Sequence, residues 1–296
     1  MKINKVITLI SSLRNLEEFS NLYSPRFDKF TLEDSYFVCE SIAKNHYENF
    51  PVGSILIPKK IRKYFYSIYA FSRFCDDIAD ESHSLTNEQR ISILNSFQNY
   101  LKNHKQLEKL STHPIFQALI DTLETNHLPA EPLIRLLEAF KMDINFRQPD
   151  RWHDLLYYCH HSANPIGEMV LRLFGEWNSV TEPLSNYITT ALQLINFWQD
   201  LSIDRQNNRN YIPKEVTEAN LFELFDYTEK ILNLGIDLPN YLNSKHLKWE
   251  VIVIIKAAKL MLQKEKKLGI RLLNDRPHLT KMDYLKILLT LNRWKY

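Results

Sequence analysis

Apolar residues recur along this chain at the three-and-four spacing of helices, and no stretch alternates as a half-buried strand would. Leu32 to Asn45 reads as a helix, and His46 to Ser54 breaks it, because Pro51 and Gly53 punctuate that stretch. Pro58 then opens a long helix at a position where proline is tolerated. No Gly or Pro interrupts residues 59–90, and Thr86 followed by Gln89 marks the cap of the next helix, to about Leu101. A polar linker covers Lys102 to Thr112. His113-Pro114 opens a helix to about Asn126, and Leu128 to Pro132 opens another to about Phe146. Asp154 to Phe174 is helical with Pro165 and Gly167 in its middle, a pair that predicts a kink. Thr181 to Ile203 is a long helix, and Asp204 to Lys214 is a polar loop. Residues 215–245 hold shorter helices, His246 to Leu273 forms a long one, and Lys281 to Trp294 closes the chain. Residues 1–30 read as a loosely attached leader before a domain over 31–296. The pattern predicts one all-α domain, a bundle of roughly ten helices.

Composition agrees with that reading. Only 5 glycines occur in 296 residues, which suits helices better than turn-rich sheet. The net charge of +2 carries no nucleic-acid footprint. Cys39, Cys75 and Cys159 are odd in number and far apart, which points to a reducing compartment and away from disulfides or a zinc site. Val6 to Ile10 is too short for a signal peptide, and Val251 to Ile255 is cut short by Lys256 and Lys259 before it could span a bilayer. A cytoplasmic protein is expected, with room for peripheral contact at the inner face of a membrane.

The first candidate chemistry lies in Phe71-Ser72-Arg73-Phe74-Cys75-Asp76-Asp77-Ile78-Ala79-Asp80-Glu81, at the end of the aromatic run Tyr64 to Ala70. On a helix, Asp76 and Asp80 stack about 6 Å apart along the axis. Asp77 sits roughly 100° around from Asp76. Like charges at this spacing repel, and burying them demands a cation. Hard oxygen ligands in this arrangement suit Mg²⁺. A solvated acidic helix end remains an alternative for this cluster alone.

A second stripe changes the balance. Asn196, Asp200 and Asp204 stand at i, i+4 and i+8, with Gln193 close to the same line. Leu194, Ile195, Phe197, Trp198, Leu201 and Ile203 surround them, so the helix is expected to be buried nearly all round. If the two acidic helices face each other, their oxygens can hold several Mg²⁺ ions around a diphosphate. Arg73, three residues before Asp76, is placed to bind phosphate or to pair with Asp76 or Asp77. Arg209 and Tyr211 fall in a loop that could close over a leaving group.

Three segments, IYAFSRFCDDIADE (68–81), YYCHHSANPIGEMVLRLFG (157–175) and NFWQDLSIDRQNNRNYIP (196–213), occur in an order that resembles a known family. The chain resembles the head-to-head trans-isoprenyl diphosphate synthases, which include squalene, dehydrosqualene and phytoene synthases, over residues 32–294. The resemblance implies an isoprenoid-synthase-type bundle with a central cavity. It implies Asp76 and Asp80 as metal ligands with Asp77 in support, and Asn196, Asp200 and Asp204 as the second set. The metal implied is Mg²⁺, several ions bridging a prenyl diphosphate substrate. Arg73 matches a phosphate-binding arginine, and His46 matches a position near the diphosphate. Tyr158, Gln193, Arg209 and Tyr211 match substrate-pocket positions, Tyr158 among the catalytic ones.

Within the family, Glu48-Asn49-Phe50-Pro51 and Ser162-Ala163-Asn164-Pro165 resemble the bacterial hydroxysqualene synthases of the hopanoid pathway. That resemblance implies conversion of presqualene diphosphate and water to hydroxysqualene, with release of diphosphate. It also implies a presqualene diphosphate synthase as partner. Glu48 departs from the lysine that binds phosphate in related enzymes, and positioning the water is an alternative role for it. The rival reaction is condensation of two farnesyl diphosphates to presqualene diphosphate or squalene, or a phytoene-type condensation. Full squalene synthesis needs a hydride from NADPH, and no GxGxxG is present, so no nicotinamide cofactor is expected.

Other readings fit less of the chain. A di-iron carboxylate bundle needs Glu-x-x-His on two helices, and only Glu124 to His127 has it. His153-Asp154 and the nearby His160-His161 hint at a metal phosphohydrolase but suit capping and packing equally. A non-enzymatic helical module leaves both acid stripes unexplained.

Overall fold

The computed structural model describes residues 20–28, 30–45, 57–80, 85–107, 111–216 and 220–290. Among these residues every regular element is helical. The helices are α1 (Leu32–Asn45), α2 (Lys59–Asp80), α3 (Asn87–Asn103), α4 (Pro114–Thr125), α5 (Glu131–Ile144), α6 (Trp152–Ser162), α7 (Asn164–Leu173), α8 (Thr181–Gln206), α9 (Leu221–Gly235), α10 (Lys245–Leu268) and α11 (Lys281–Leu289). The chain divides into two units, 1–145 and 146–296. The break falls in the non-helical polar segment after α5, where the sequence pattern had suggested one undivided domain.

In the first unit, α2 is the central helix and packs on α1, α4 and α5. Ser67, Ala70, Phe71, Phe74, Cys75 and Ile78 are buried at helical spacing, which leaves Arg73 and the acids on another side. Phe71 and Phe74 enter an aromatic core with Phe97 and Phe116, at centroid distances of 4.8–5.6 Å. Thr86 and Gln89 make the expected capping box of α3. The stretch assigned to a loose leader is partly core. Phe27 is fully buried and stands 4.7 Å from the His113 ring, and the Ser111 hydroxyl donates to the Leu22 carbonyl. An aromatic ring that fills the core ties down residues 20–28, whatever the weak periodicity around it.

In the second unit, α8 packs on α6, α7, α9 and α10. Trp198 at its centre is fully buried, and its indole N–H donates to Thr228 Oγ1 at 2.8 Å. The expected kink at Pro165 is a full break. Helix α6 ends at Ser162, Ala163 intervenes, and Pro165 sits in the first turn of α7, where its missing N–H leaves no intrahelical bond unmade. Val251, Ile252, Val253 and Ile255 are buried. Val251 and Ile255 join a core cluster with Leu171 and Ile188. Among the described residues no helix is long and apolar enough to cross a membrane.

Candidate metal and diphosphate sites

Asp76, Asp77 and Asp80 occupy the last turn of α2, with no basic residue in that turn. The helix dipole places negative partial charge at this end, so three acids there are unfavourable without cations. Arg73 lies on the same side one turn earlier. It donates from Nη1 to Asp76 Oδ2 at 3.0 Å, and its Nη2 stands 2.6 Å from Asp77 Oδ1. The sequence left pairing and phosphate binding both open for Arg73, and in this structure it pairs. Tyr69, one turn before Arg73, extends the stripe: burial raises its phenol, Arg73 lowers it, and Asp76 and Asp77 raise it further. Arg90 of α3 was not flagged by sequence reasoning. Its guanidinium donates to the Ala79 carbonyl, beside Asp80. Cys75 is buried and its thiol is held well above the usual range, first by burial and then by Asp76 and Asp77. It packs and does not act as a nucleophile. His46 and Glu48 lie outside the described residues, as does Glu81.

The second stripe runs along α8. The helix continues to Gln206, so Asn196, Asp200 and Asp204 share one unbroken element and Asp204 does not begin a loop. The helix is not buried all round. Asn196 is exposed, Gln193, Asp200 and Asp204 are half-buried, and Ile203 is open, while Leu194, Phe197, Trp198 and Leu201 carry the core contacts. The polar stripe is therefore the open face of a helix packed on its other sides. Asp200 Oδ1 accepts from Arg276 Nε at 2.5 Å, a partner 76 residues away that local sequence could not reveal.

The segment after α8 is pinned. Asn208 takes a left-handed φ of 58°, the Arg209 amide donates to the Asp204 carbonyl at 2.8 Å, and the Asn208 amide donates to Arg205 O at 3.2 Å. This is a Schellman ending, and it fixes Arg209 beside Asp204. Tyr211 is buried, with its ring stacked on Phe197 at 3.9 Å and 13°. Tyr158 stands 5.6 Å from Phe197 and 6.0 Å from Tyr211, and Phe146 stands 5.1 Å from Tyr211. Arg209 and Tyr211 follow α8 in a non-helical segment, and Tyr211 joins the core cluster that contains Phe197. Gln193 lies one helical turn beyond Thr189 and Thr190. Both of those hydroxyls donate to Asn164 Oδ1, at 2.8 and 3.0 Å, locking the start of α7 to α8.

The donor set fits magnesium. Every candidate ligand offers hard oxygen, the α2 acids sit at a negative helix end, and a carboxyl near Asp200, that of Glu265, is buried without a hydrogen bond. Among the described residues no three His, Cys, Asp or Glu side chains form a ready metal cage. His153 is exposed and only 3.9 Å contact with Asp154 links it to an acid, and His160 stacks edge-on with His161.

Comparison with known proteins identifies the family. A family model for squalene/phytoene synthase matches residues 43–231. The hydroxysqualene synthase of Zymomonas mobilis is 36% identical over 175 residues, 58% of this chain and 57% of that protein. The match thus spans little more than half the length of that relative. The hydroxysqualene synthase of Sinorhizobium fredii is 29% identical over 238 residues, covering 74% of this chain and 79% of that one. Among solved structures, squalene synthase HpnC from Alicyclobacillus acidocaldarius is 30% identical with a TM-score of 0.73, over 80% of this chain and 95% of that one. A dehydrosqualene synthase at 20% identity shares the fold, with a TM-score of 0.75 over 89% and 97% of the two chains. The chain belongs to the squalene/phytoene synthase family.

Proposed function

We propose that this protein is a magnesium-dependent enzyme that converts presqualene diphosphate and water to hydroxysqualene, releasing diphosphate. The observation that carries the reaction class is the pair of acid stripes on α2 and α8, in a chain of the squalene/phytoene synthase family. The product assignment rests on the relatives named hydroxysqualene synthase.

In this reading Asp76 and Asp80, with Asp77 in support, hold magnesium in the first unit, and Asn196, Asp200 and Asp204 hold it in the second. When bound, that ion supplies Lewis-acid stabilisation to the departing diphosphate. Arg73 turns part of its charge from Asp76 and Asp77 to phosphate oxygen, as a guanidinium fork can. His46, near the diphosphate, adds to that binding. Arg209 and Arg276 stand beside Asp204 and Asp200 and offer further donors for an anion. Phe197, Tyr211 and Tyr158 present an aromatic wall that excludes stray water and favours a cationic centre in the substrate. A presqualene diphosphate synthase would supply the substrate, and peripheral contact with the inner face of a membrane would suit so apolar a molecule.

Condensation of two farnesyl diphosphates is the second reading, favoured by a presqualene diphosphate synthase relative, 29% identical over 163 residues. Incubation with presqualene diphosphate, with and without Mg²⁺ and with and without NADPH, separates the two by product identification. An NADPH-independent triterpene alcohol is expected. Turnover of farnesyl diphosphate alone would replace the product assignment. Absence of magnesium-dependent diphosphate release from either substrate would remove the enzyme reading. Asp76→Asn and Asp200→Asn should each lower diphosphate release by about 100-fold or more while the far-UV circular dichroism is unchanged.

A further inference from the structure

Glu265 lies in α10 on the side that carries Ala258, Met261, Leu262 and Leu268. Those residues pack into the core cluster that contains Leu194, Trp198 and Leu201 of α8. Glu265 is 0% exposed, and neither of its carboxyl oxygens has a hydrogen-bond partner. Three other buried carboxylates are served. Glu168 accepts from Arg172 at 2.8 Å, and Glu176 accepts the Asn243 and Ser244 amides at the start of α10. Asp283 accepts from Lys264 at 2.7 Å. The cations flanking Glu265 are engaged elsewhere: Lys264 with Asp283, and Lys266 with Asp226 and Glu229. Arg276 is engaged with Asp200.

A buried carboxyl without donors is among the most unfavourable groups a core can hold, and an apolar residue would fit the surrounding helix face better. Its presence calls for a partner of another kind. One short segment ties this part of α10 to the Asp200 turn of α8: Arg276 donates to Asp200, the Pro277 carbonyl accepts from Gln199 at 3.0 Å, and the His278 carbonyl accepts from Lys264, next to Glu265, at 3.1 Å. An unsatisfied acid of α10 thus lies near the Asp200 turn of α8, where burial and Asp200 both raise its carboxyl.

We propose that Glu265 is a further member of the second acid set, a carboxylate that serves a divalent cation held at Asp200 on the diphosphate. The inference rests on the magnesium reading of Asp200. It adds a ligand or positioning group from α10 to a stripe otherwise drawn from α8 alone. A cation at that position would neutralise both acids, removing the repulsion between them and the desolvation that burial imposes on Glu265.

The test uses the full chain, without turnover. Binding of Mg²⁺ with inorganic pyrophosphate is measured by calorimetry, and thermal unfolding is followed with neither added, for wild type, Glu265→Gln, Glu265→Leu and Asp200→Asn. Both Glu265 variants are expected to keep or raise the unfolding temperature in the absence of metal, because an unsatisfied buried acid has been removed. Both should lose about tenfold or more in affinity for the magnesium–pyrophosphate pair. Unchanged affinity in the Glu265 variants, with affinity lost in Asp200→Asn, overturns the role of Glu265 and leaves the magnesium reading standing. A lower unfolding temperature in both Glu265 variants without metal shows a structural carboxyl and also overturns it. If wild type itself binds no magnesium–pyrophosphate, the reading on which the inference rests falls with it.

Discussion

Arg276 Nε donates to Asp200 Oδ1 at 2.5 Å, so an acid of the α8 stripe is already matched to a cation from a distant part of the same unit. A divalent ion approaching Asp200 has to share its carboxylate with that guanidinium. Arg276→Gln should therefore raise the affinity for Mn²⁺ alone several-fold. The substitution should change stability by no more than about 1 kcal/mol, because the bridge is partly exposed. Titration of Mn²⁺ by electron paramagnetic resonance checks the first, and urea unfolding the second. Weaker binding would mean that Arg276 orients Asp200 for the ion.

Asn164 carries a different burden. Its buried side-chain oxygen accepts from the hydroxyls of Thr189 and Thr190 and joins α7 to α8 one turn before Gln193. Asn164→Ala removes that acceptor and leaves the Thr190 hydroxyl short of a partner, while Thr189 can still donate to the Ser185 carbonyl. A loss of about 1–3 kcal/mol is expected in urea unfolding. Asn164→Asp, which keeps the acceptor, should lose less.

Gly235 ends α9 where it presses on α8. A Cβ there would stand 2.6 Å from the Leu184 carbonyl oxygen and 2.8 Å from Ile188 Cγ1. Backbone cannot swing aside as a side-chain tip can, so Gly235→Ala should destabilise by about 1–3 kcal/mol or more. At Gly167 the added atom would meet Ser185 Oγ and Thr189 Cγ2, each at 2.7 Å. Because those are side-chain atoms, Gly167→Ala is expected to cost less than Gly235→Ala. Chemical denaturation of both variants gives the order, and the reverse order would contradict the packing described.

Glu250 supplies a pH dependence. Burial pushes its carboxyl from 4.5 up to about 7. The folded protein thus holds this proton more tightly than the unfolded chain does. The stability linked to it is complete below pH 4.5 and is lost as pH rises through about 7. The loss is on the order of 3 kcal/mol for a shift of this size. Glu250→Gln should flatten that part of the stability profile and unfold at a higher temperature than wild type above neutrality. Unfolding scans across this range measure both, and parallel profiles would show that Glu250 stays protonated or solvated throughout.

Much of the candidate site is legible in one dimension because helical spacing is a local rule. Asp76 and Asp80, and Asn196, Asp200 and Asp204, fall on single helix faces by their separation alone. The boundaries of α1, α4 and α8 near Leu32, Pro114 and Thr181 follow from caps, prolines and apolar periodicity. The segment that carries Arg209 and Tyr211 has a local geometry that its composition does not reveal. A polar run after a helix looks like a loop, whereas Asn208 turns left-handed and returns Arg209 onto Asp204.

What the chain order by itself determined is the all-α class, the two acid stripes and the aromatic supply, since each depends on residue type and a fixed rise and turn per residue. Only the tertiary structure decided which aromatics are core, as Phe71 and Phe74 are, and which line Phe197, as Tyr158 and Tyr211 do. It alone paired Arg276 with Asp200 and left Glu265 unsatisfied beneath a lysine-rich stretch that reads as solvent-facing. The physical reason is that charge pairing and desolvation depend on distance in space, and residues far apart in the chain carry no sequence mark of the partner they will meet.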